Sequence, residues 1–226
     1  MKLKILKMQN KKVGFTLIEL IVVLAIIGVL VGILVAVIRP QQIFSRLRDT
    51  QRQSDLNRLA NAIQTYIAEF AQNPSAIVMT GDLPAGGISG CLGGSTPTIY
   101  YSANTQPGTV NTSSPSGLGT FIRGRASTST AFDGTGWLPV RFASATALNL
   151  TALPIDPRNS NYDANPSYYY TYACRTDLNF ELNANLEVMT DAETNDGGDV
   201  ATLYEVGPDK NILPTTTGSN FYPFPQ

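Results

Sequence analysis

The chain has 226 residues, 43% of them apolar, a formal net charge of −1, no histidine and two cysteines, a size that suits one membrane segment plus one compact domain. The missing histidines remove the commonest general base and the commonest transition-metal ligand, and Cys91 and Cys174, far apart and outside any CxxC pattern, lend no support to zinc or thioredoxin-like sites. Charge is unevenly spread: five lysines (Lys2, Lys4, Lys7, Lys11, Lys12) fall in the first fourteen residues, whereas six basic and thirteen acidic residues follow Phe70, and an acidic body argues against nucleic acid as the main partner.

After the lysines, every residue from Leu20 to Ile38 is apolar or glycine, and extending the run back to Phe15 adds only Thr16 and Glu19 as interruptions. A helix needs about 20 residues, at about 1.5 Å each, to span a bilayer. The lysines hold the near end in the cytoplasm, so the chain beyond Arg39 lies outside. A secretory signal peptide has an apolar core of only about 7–15 residues and a small-residue cleavage site; here the run is longer and Arg39-Pro40 follows it.

The helical pattern continues past the membrane. Leu56, Leu59, Ala60, Ile63, Ile67 and Phe70 recur at helical spacing with Asp55, Asn57, Arg58, Asn61 and Gln64 between them. One long helix is therefore predicted from about Phe15 to Gln72, ended by Asn73-Pro74. Pro40 removes the hydrogen bond to the Ala36 carbonyl and is expected to kink or open that helix.

The stretch from Gly81 to about Gly136, rich in Gly, Ser, Thr, Asn and Pro, predicts a long loop region with short strands at most. Trp137–Phe142, Tyr168–Cys174, Phe180–Met189 and Ala201–Val206 are aromatic or alternating and predict strands of a small antiparallel sheet. In the third of these the alternation is strict, which puts Phe180, Leu182, Ala184, Leu186 and Val188 on a buried face and the intervening Glu and Asn in solvent. Next comes an acidic loop, Asp191 to Asp199, whose carboxylates and glycines are of the kind calcium requires, although the EF-hand spacing is absent; a solvated acidic turn is the other reading. No partner there poises a pKa for catalysis.

Gly14-Phe15-Thr16-Leu17-Ile18-Glu19, behind a lysine-rich leader and ahead of an unbroken apolar helix, resembles the processing motif of type IV prepilins and type II secretion pseudopilins. The resemblance implies that prepilin peptidase cleaves after Gly14, that Phe15 becomes the N-methylated first residue, and that Glu19 is the acid used in assembly. It also implies an inner-membrane precursor that joins other pilin or pseudopilin subunits and the assembly machinery, ending in an extracytoplasmic filament. Independently, an acid within an apolar membrane helix costs roughly 3 kcal/mol at the centre and signals function; snorkelling to the headgroups is the alternative. Gly28 and Gly32 form a GxxxG step that permits close helix approach or gives local flexibility, and the family proline lies one turn before Pro40. Leu153-Pro154-Ile155-Asp156-Pro157 and Tyr168 to Tyr172 are similar to the Asp-Pro stretch and aromatic strand of major pseudopilins, in which calcium sits near the C-terminus; here Asp191, Asp196 and Asp199 are the candidate ligands.

These readings predict an α+β, pilin-like chain: leader 1–14, membrane or filament-core helix 15–39, amphipathic continuation 40–72 and an extracytoplasmic domain 73–226. Cys91 and Cys174 both fall outside the cytoplasm, where disulfides persist, and are expected to be joined. The expected function is structural rather than enzymatic. The alternative is a binding domain or enzyme on a signal anchor, which would need neither the Gly14-Phe15 junction nor Glu19.

Overall fold

The computed structural model describes residues 14–79, 91, 98–104, 123–148, 150–159 and 168–212. The chain divides into two compact units, with the boundary between Ile43 and Phe44. Helix α1 (Leu17–Ile38) belongs to the first, and helix α2 (Pro40–Glu69) runs from the end of the first into the second.

The single helix expected from Phe15 to Gln72 is thus two helices. Arg39 separates them in a left-handed conformation, φ 45° and ψ 72°. The cause is Pro40, whose ring disfavours helical geometry at the preceding residue and which has no N–H to donate. At the first position of α2 neither property is a handicap, because that N–H would be unpaired anyway. Pro40 therefore starts a helix instead of bending one. The far end also comes early, α2 stopping at Glu69 before a short 3-10 turn over Pro74–Ala76.

In the second unit, β1 (Thr98–Tyr101), β2 (Arg123–Ala126), β3 (Tyr170–Cys174), β4 (Phe180–Ala184) and β5 (Tyr204–Val206) form one sheet in the order β2-β1-β3-β4-β5. All pairs are antiparallel except β1 with β2, which is parallel, so the sheet is mixed rather than antiparallel as expected. A row in register across three strands, Tyr100, Tyr172 and Leu182, joins the core with Leu56, Leu59, Ile63 and Tyr66 of α2. Burying each such side chain contributes about 1.5–3 kcal/mol. Helix, then sheet, with the two packed through one face of each, makes the fold α+β.

The opposite face of the sheet is buried as well, with Ile99, Tyr101, Ala173, Leu203 and Ile212 in a second apolar cluster. This overturns the expected solvent face of β4: Glu181 and Asn183 are fully buried beside Phe180, Leu182 and Ala184, while Val188 is exposed. Glu181 is accommodated by the Ile212 N–H, which donates to its Oε2 at 2.7 Å. The predicted strand at Trp137–Phe142 is also absent. Arg141 makes only an isolated bridge with Asp133, Phe142 opens a 3-10 turn, and Trp137 is buried with its Nε1 donating to the Pro154 carbonyl at 2.8 Å. A short helix, α3 (Thr190–Thr194), appears where an acidic loop was expected. Of the Gly81–Gly136 stretch, residues 81–90, 92–97 and 105–122 lie outside the described residues, and β1 and β2 are the short strands in the rest. Cys91 and Cys174 form a disulfide, Cα to Cα 4.8 Å, tying the segment before β1 to the end of β3.

Candidate functional site

The first unit carries Gly14 and Phe15, the expected cleavage junction, just before α1. Thr16 is extended, at φ −80° and ψ 151°, and its hydroxyl accepts the Glu19 N–H at 3.3 Å. In return the Glu19 Oε2 accepts both the Thr16 N–H and the Thr16 hydroxyl at 2.8 Å. Thr16-Leu17-Ile18-Glu19 is a capping box, two otherwise unpaired donors at a helix start satisfied reciprocally. Glu19 is therefore folded back onto Thr16, which directly follows Gly14 and Phe15 in an exposed stretch. The S/T-x-x-E spacing that signals such a cap is present in the sequence, and it gives Glu19 a local structural role.

Above the cap, residues Leu17–Val35 have a mean hydropathy of 3.1 and none is buried by the chain. Gly28 and Gly32 face open space, with nothing within 4 Å of where a Cβ would stand, so neither glycine is needed for packing inside the chain. Residues 10–35 match the prokaryotic N-terminal methylation motif. The chain carries the type IV prepilin and pseudopilin signature. The motif supports a processed, pilin-like precursor and implies a prepilin peptidase substrate, and Leu17–Val35 is long and apolar enough to cross a membrane. No match was found among curated proteins or among solved structures.

The second unit contains a charged cluster that the sequence did not announce. Arg52 of α2 is fully buried, with Nε donating to Asp156 Oδ2 at 2.6 Å and Nη2 to Asp156 Oδ1 at 3.0 Å. Its Nη1 reaches Asp49 at 2.7 Å and Glu187 at 3.0 Å. Burial works against the guanidinium, but these carboxylates more than offset it and hold its pKa above the usual value. Asp49, also buried, accepts the N–H groups of Glu187, Val188 and Met189 at 2.8, 2.8 and 3.1 Å. Burial pushes the Glu187 carboxyl up, yet hydrogen bonds from Arg48, Arg52 and Ser45 bring it down to about 2. Tyr168 lies under both guanidinium groups, 4.6 Å from Arg52 and 4.5 Å from Arg158. Through Asp156, the Leu153–Pro157 stretch is clamped to α2. With Asp49, Arg52 and Asp156 buried and paired, the centre of the cluster is an anchor for the sheet-to-helix packing.

The acidic turn does not assemble a calcium site. Asp191 is exposed on α3, Asp199 is exposed, and Asp196 is committed to the backbone, its Oδ1 accepting Gly198 N–H at 2.7 Å and its Oδ2 accepting Glu205 N–H at 2.6 Å. The Asp196 carbonyl, another oxygen of the kind calcium binds, accepts the Lys210 ammonium. Among the described residues no group of three or more His, Cys, Asp or Glu is arranged to hold a metal ion. Asp191, Asp196 and Asp199 therefore do not fit the metal that the resemblance implied.

Proposed function

We propose that this chain is a structural subunit, without enzymatic activity, of a type IV pilus-like filament. On this reading prepilin peptidase cleaves between Gly14 and Phe15 on the cytoplasmic side of the inner membrane. The subunit waits in that membrane and is then drawn into an extracytoplasmic filament, where α1 helices from neighbouring copies replace lipid around one another.

The observation that carries the reading is the contrast within α1: no residue from Leu17 to Val35 is buried by its own chain, while one carboxylate, Glu19, stands at the start of that surface. Cleavage gives Phe15 a charged amine at the membrane edge. In a medium of low dielectric that amine and a neighbour's Glu19 attract far more strongly than in water, and each relieves the other's desolvation. In the isolated subunit Thr16 fills this role with hydrogen bonds to Oε2.

Glu19→Ala tests this. The variant is expected to insert and to be processed like the wild type, because the junction is intact and a costly acid has gone, yet to lose sheared filaments. Membrane-fraction abundance, intact mass and filament yield are read side by side. Wild-type filament yield from a fully processed variant would show that the acid is a bystander, and absence of filaments from the wild type itself would favour a membrane-anchored domain.

A further inference from the structure

The second unit keeps its apolar side chains inside with one local exception. Among the described residues only three of its large apolar side chains are exposed: Phe44 and Leu47, each at 60%, and Val188 at 40%. All three stand at one end of the unit. Phe44 and Leu47 are three residues apart on α2 and so share a face of that helix, and the Val188 N–H donates to Oδ2 of Asp49, two residues beyond Leu47, at 2.8 Å. Arginines share this end. From Arg39 to Arg48 the chain has three arginines and no acid, against six basic and thirteen acidic residues after Phe70. Arg46 is exposed. Arg48 and Arg158, with side chains 31% and 46% exposed, both lie on Glu187, whose side chain is only 6% exposed, so guanidinium rather than carboxylate reaches the surface there.

We propose that this end of the second unit is a membrane-docking surface, which in the unassembled subunit rests on the headgroups of anionic phospholipid. Exposed apolar side chains interleaved with arginines suit that boundary: the apolar tips enter where headgroups meet acyl chains, while the guanidinium groups, on long stems, pair with phosphate. The chain itself brings surface and lipid together. Phe44 is the first residue of the second unit and follows Val35, the last of the apolar span, by nine positions, and nine residues reach at most about 30 Å even when fully extended. With α1 in a bilayer, the surface is therefore held near lipid at high effective concentration, and each arginine adds attraction to an anionic leaflet. A second copy of the chain suits it less, because two such ends brought face to face would set arginine against arginine, with Glu187 too enclosed to relieve them. The inference rests on the membrane-anchored stage of the proposed function and is independent of filament assembly.

The test places the full chain in vesicles of phosphatidylcholine alone or of an equal mixture with phosphatidylglycerol. Photoreactive p-benzoylphenylalanine replaces Phe44, Leu47 or, two turns further along α2, the exposed Ser54, and intact mass after irradiation reports what each position touches. Lipid adducts are expected at positions 44 and 47 in the mixed vesicles, with several-fold fewer at position 54 and several-fold fewer in phosphatidylcholine alone. Arg46→Glu should lower the yield at position 44 by at least about five-fold, the effect of one basic residue at an anionic surface. Added salt should lower it too, without any change to Arg46. Equal yields at all three positions, or yields indifferent to phosphatidylglycerol, Arg46 and salt, would mean mere nearness to the bilayer and overturn the inference. Chain-to-chain products in place of lipid adducts would assign the surface to a second copy. A chain that floats with the vesicles but forms no lipid adduct overturns this inference alone, whereas one that does not float overturns the membrane-anchored stage with it.

Discussion

Between Leu17 and Val35 the chain covers none of its own side chains, whereas beyond Phe44 it encloses even Arg52, Asp49 and Asp156. On the proposed reading the first region's apolar surface is covered by lipid or by other copies; the second packs its apolar core, the Arg52 ion-pair cluster and a disulfide internally. Two kinds of sensitivity follow. Changes in the first region should alter where the protein goes and what it joins while leaving the melting of the second unchanged, as the Glu19→Ala comparison probes. Changes in the second should unfold it.

Reduction of the Cys91–Cys174 bond should be the largest blow to the second region. The two positions are 83 residues apart, and closing a loop of that size contributes about 4–5 kcal/mol in the chain-entropy account. Thermal unfolding of the full chain in detergent, with and without reductant, is expected to show a large drop in Tm, and an unchanged Tm would mean that the bond adds little. Arg52→Met comes next. Removing one partner of a buried ionic cluster costs about 3–5 kcal/mol because the remaining charges stay enclosed and unpaired. The double variant Arg52→Met with Asp156→Asn should lose less than the sum of the single losses, and strict additivity would place the two groups outside a common cluster.

A smaller, graded effect comes from pH. Burial raises Glu193 from 4.5 to about 7, so between those values the folded state keeps a proton that the unfolded state has released, and stability falls as pH rises through the window. Glu205, raised by burial and by neighbouring Glu181, extends the decline to higher pH. Glu187 has the opposite sign: held at about 2 against 4.5, it stabilises the fold above 4.5 and loses that contribution as pH falls towards 2. Tm should therefore be highest near about pH 4.5 and decline on both sides. Glu193→Gln should flatten the slope between 4.5 and about 7; an unaltered slope would assign it to other groups.

The features legible in the sequence share a physical trait: each depends on neighbours close along the chain. The apolar run that became α1, the disturbance at Pro40, the core stripe Leu56, Leu59, Ile63 and the strands β3 and β4 all follow from side-chain periodicity, transfer energy or backbone sterics over a few residues. The Thr16–Glu19 capping box belongs with them, since its partners are three residues apart.

What tertiary structure alone decided concerns polar residues and strand neighbours. Periodicity assigns a charged residue to solvent by default, because burying it unpaired is costly. Arg52 escapes that default only because Asp156 arrives from 104 residues away and Glu187 from 135. Glu181 and Asn183 are buried because the second face of the sheet is covered, with Leu203 and Ile212 on it. The parallel pairing of β2 with β1 likewise has no local signature, since alternation specifies a strand's faces and leaves its neighbour open. The apolar helix and its capped start thus followed from residues close along the chain, whereas the fate of each charge in the second unit depended on which distant partner the fold brought to it.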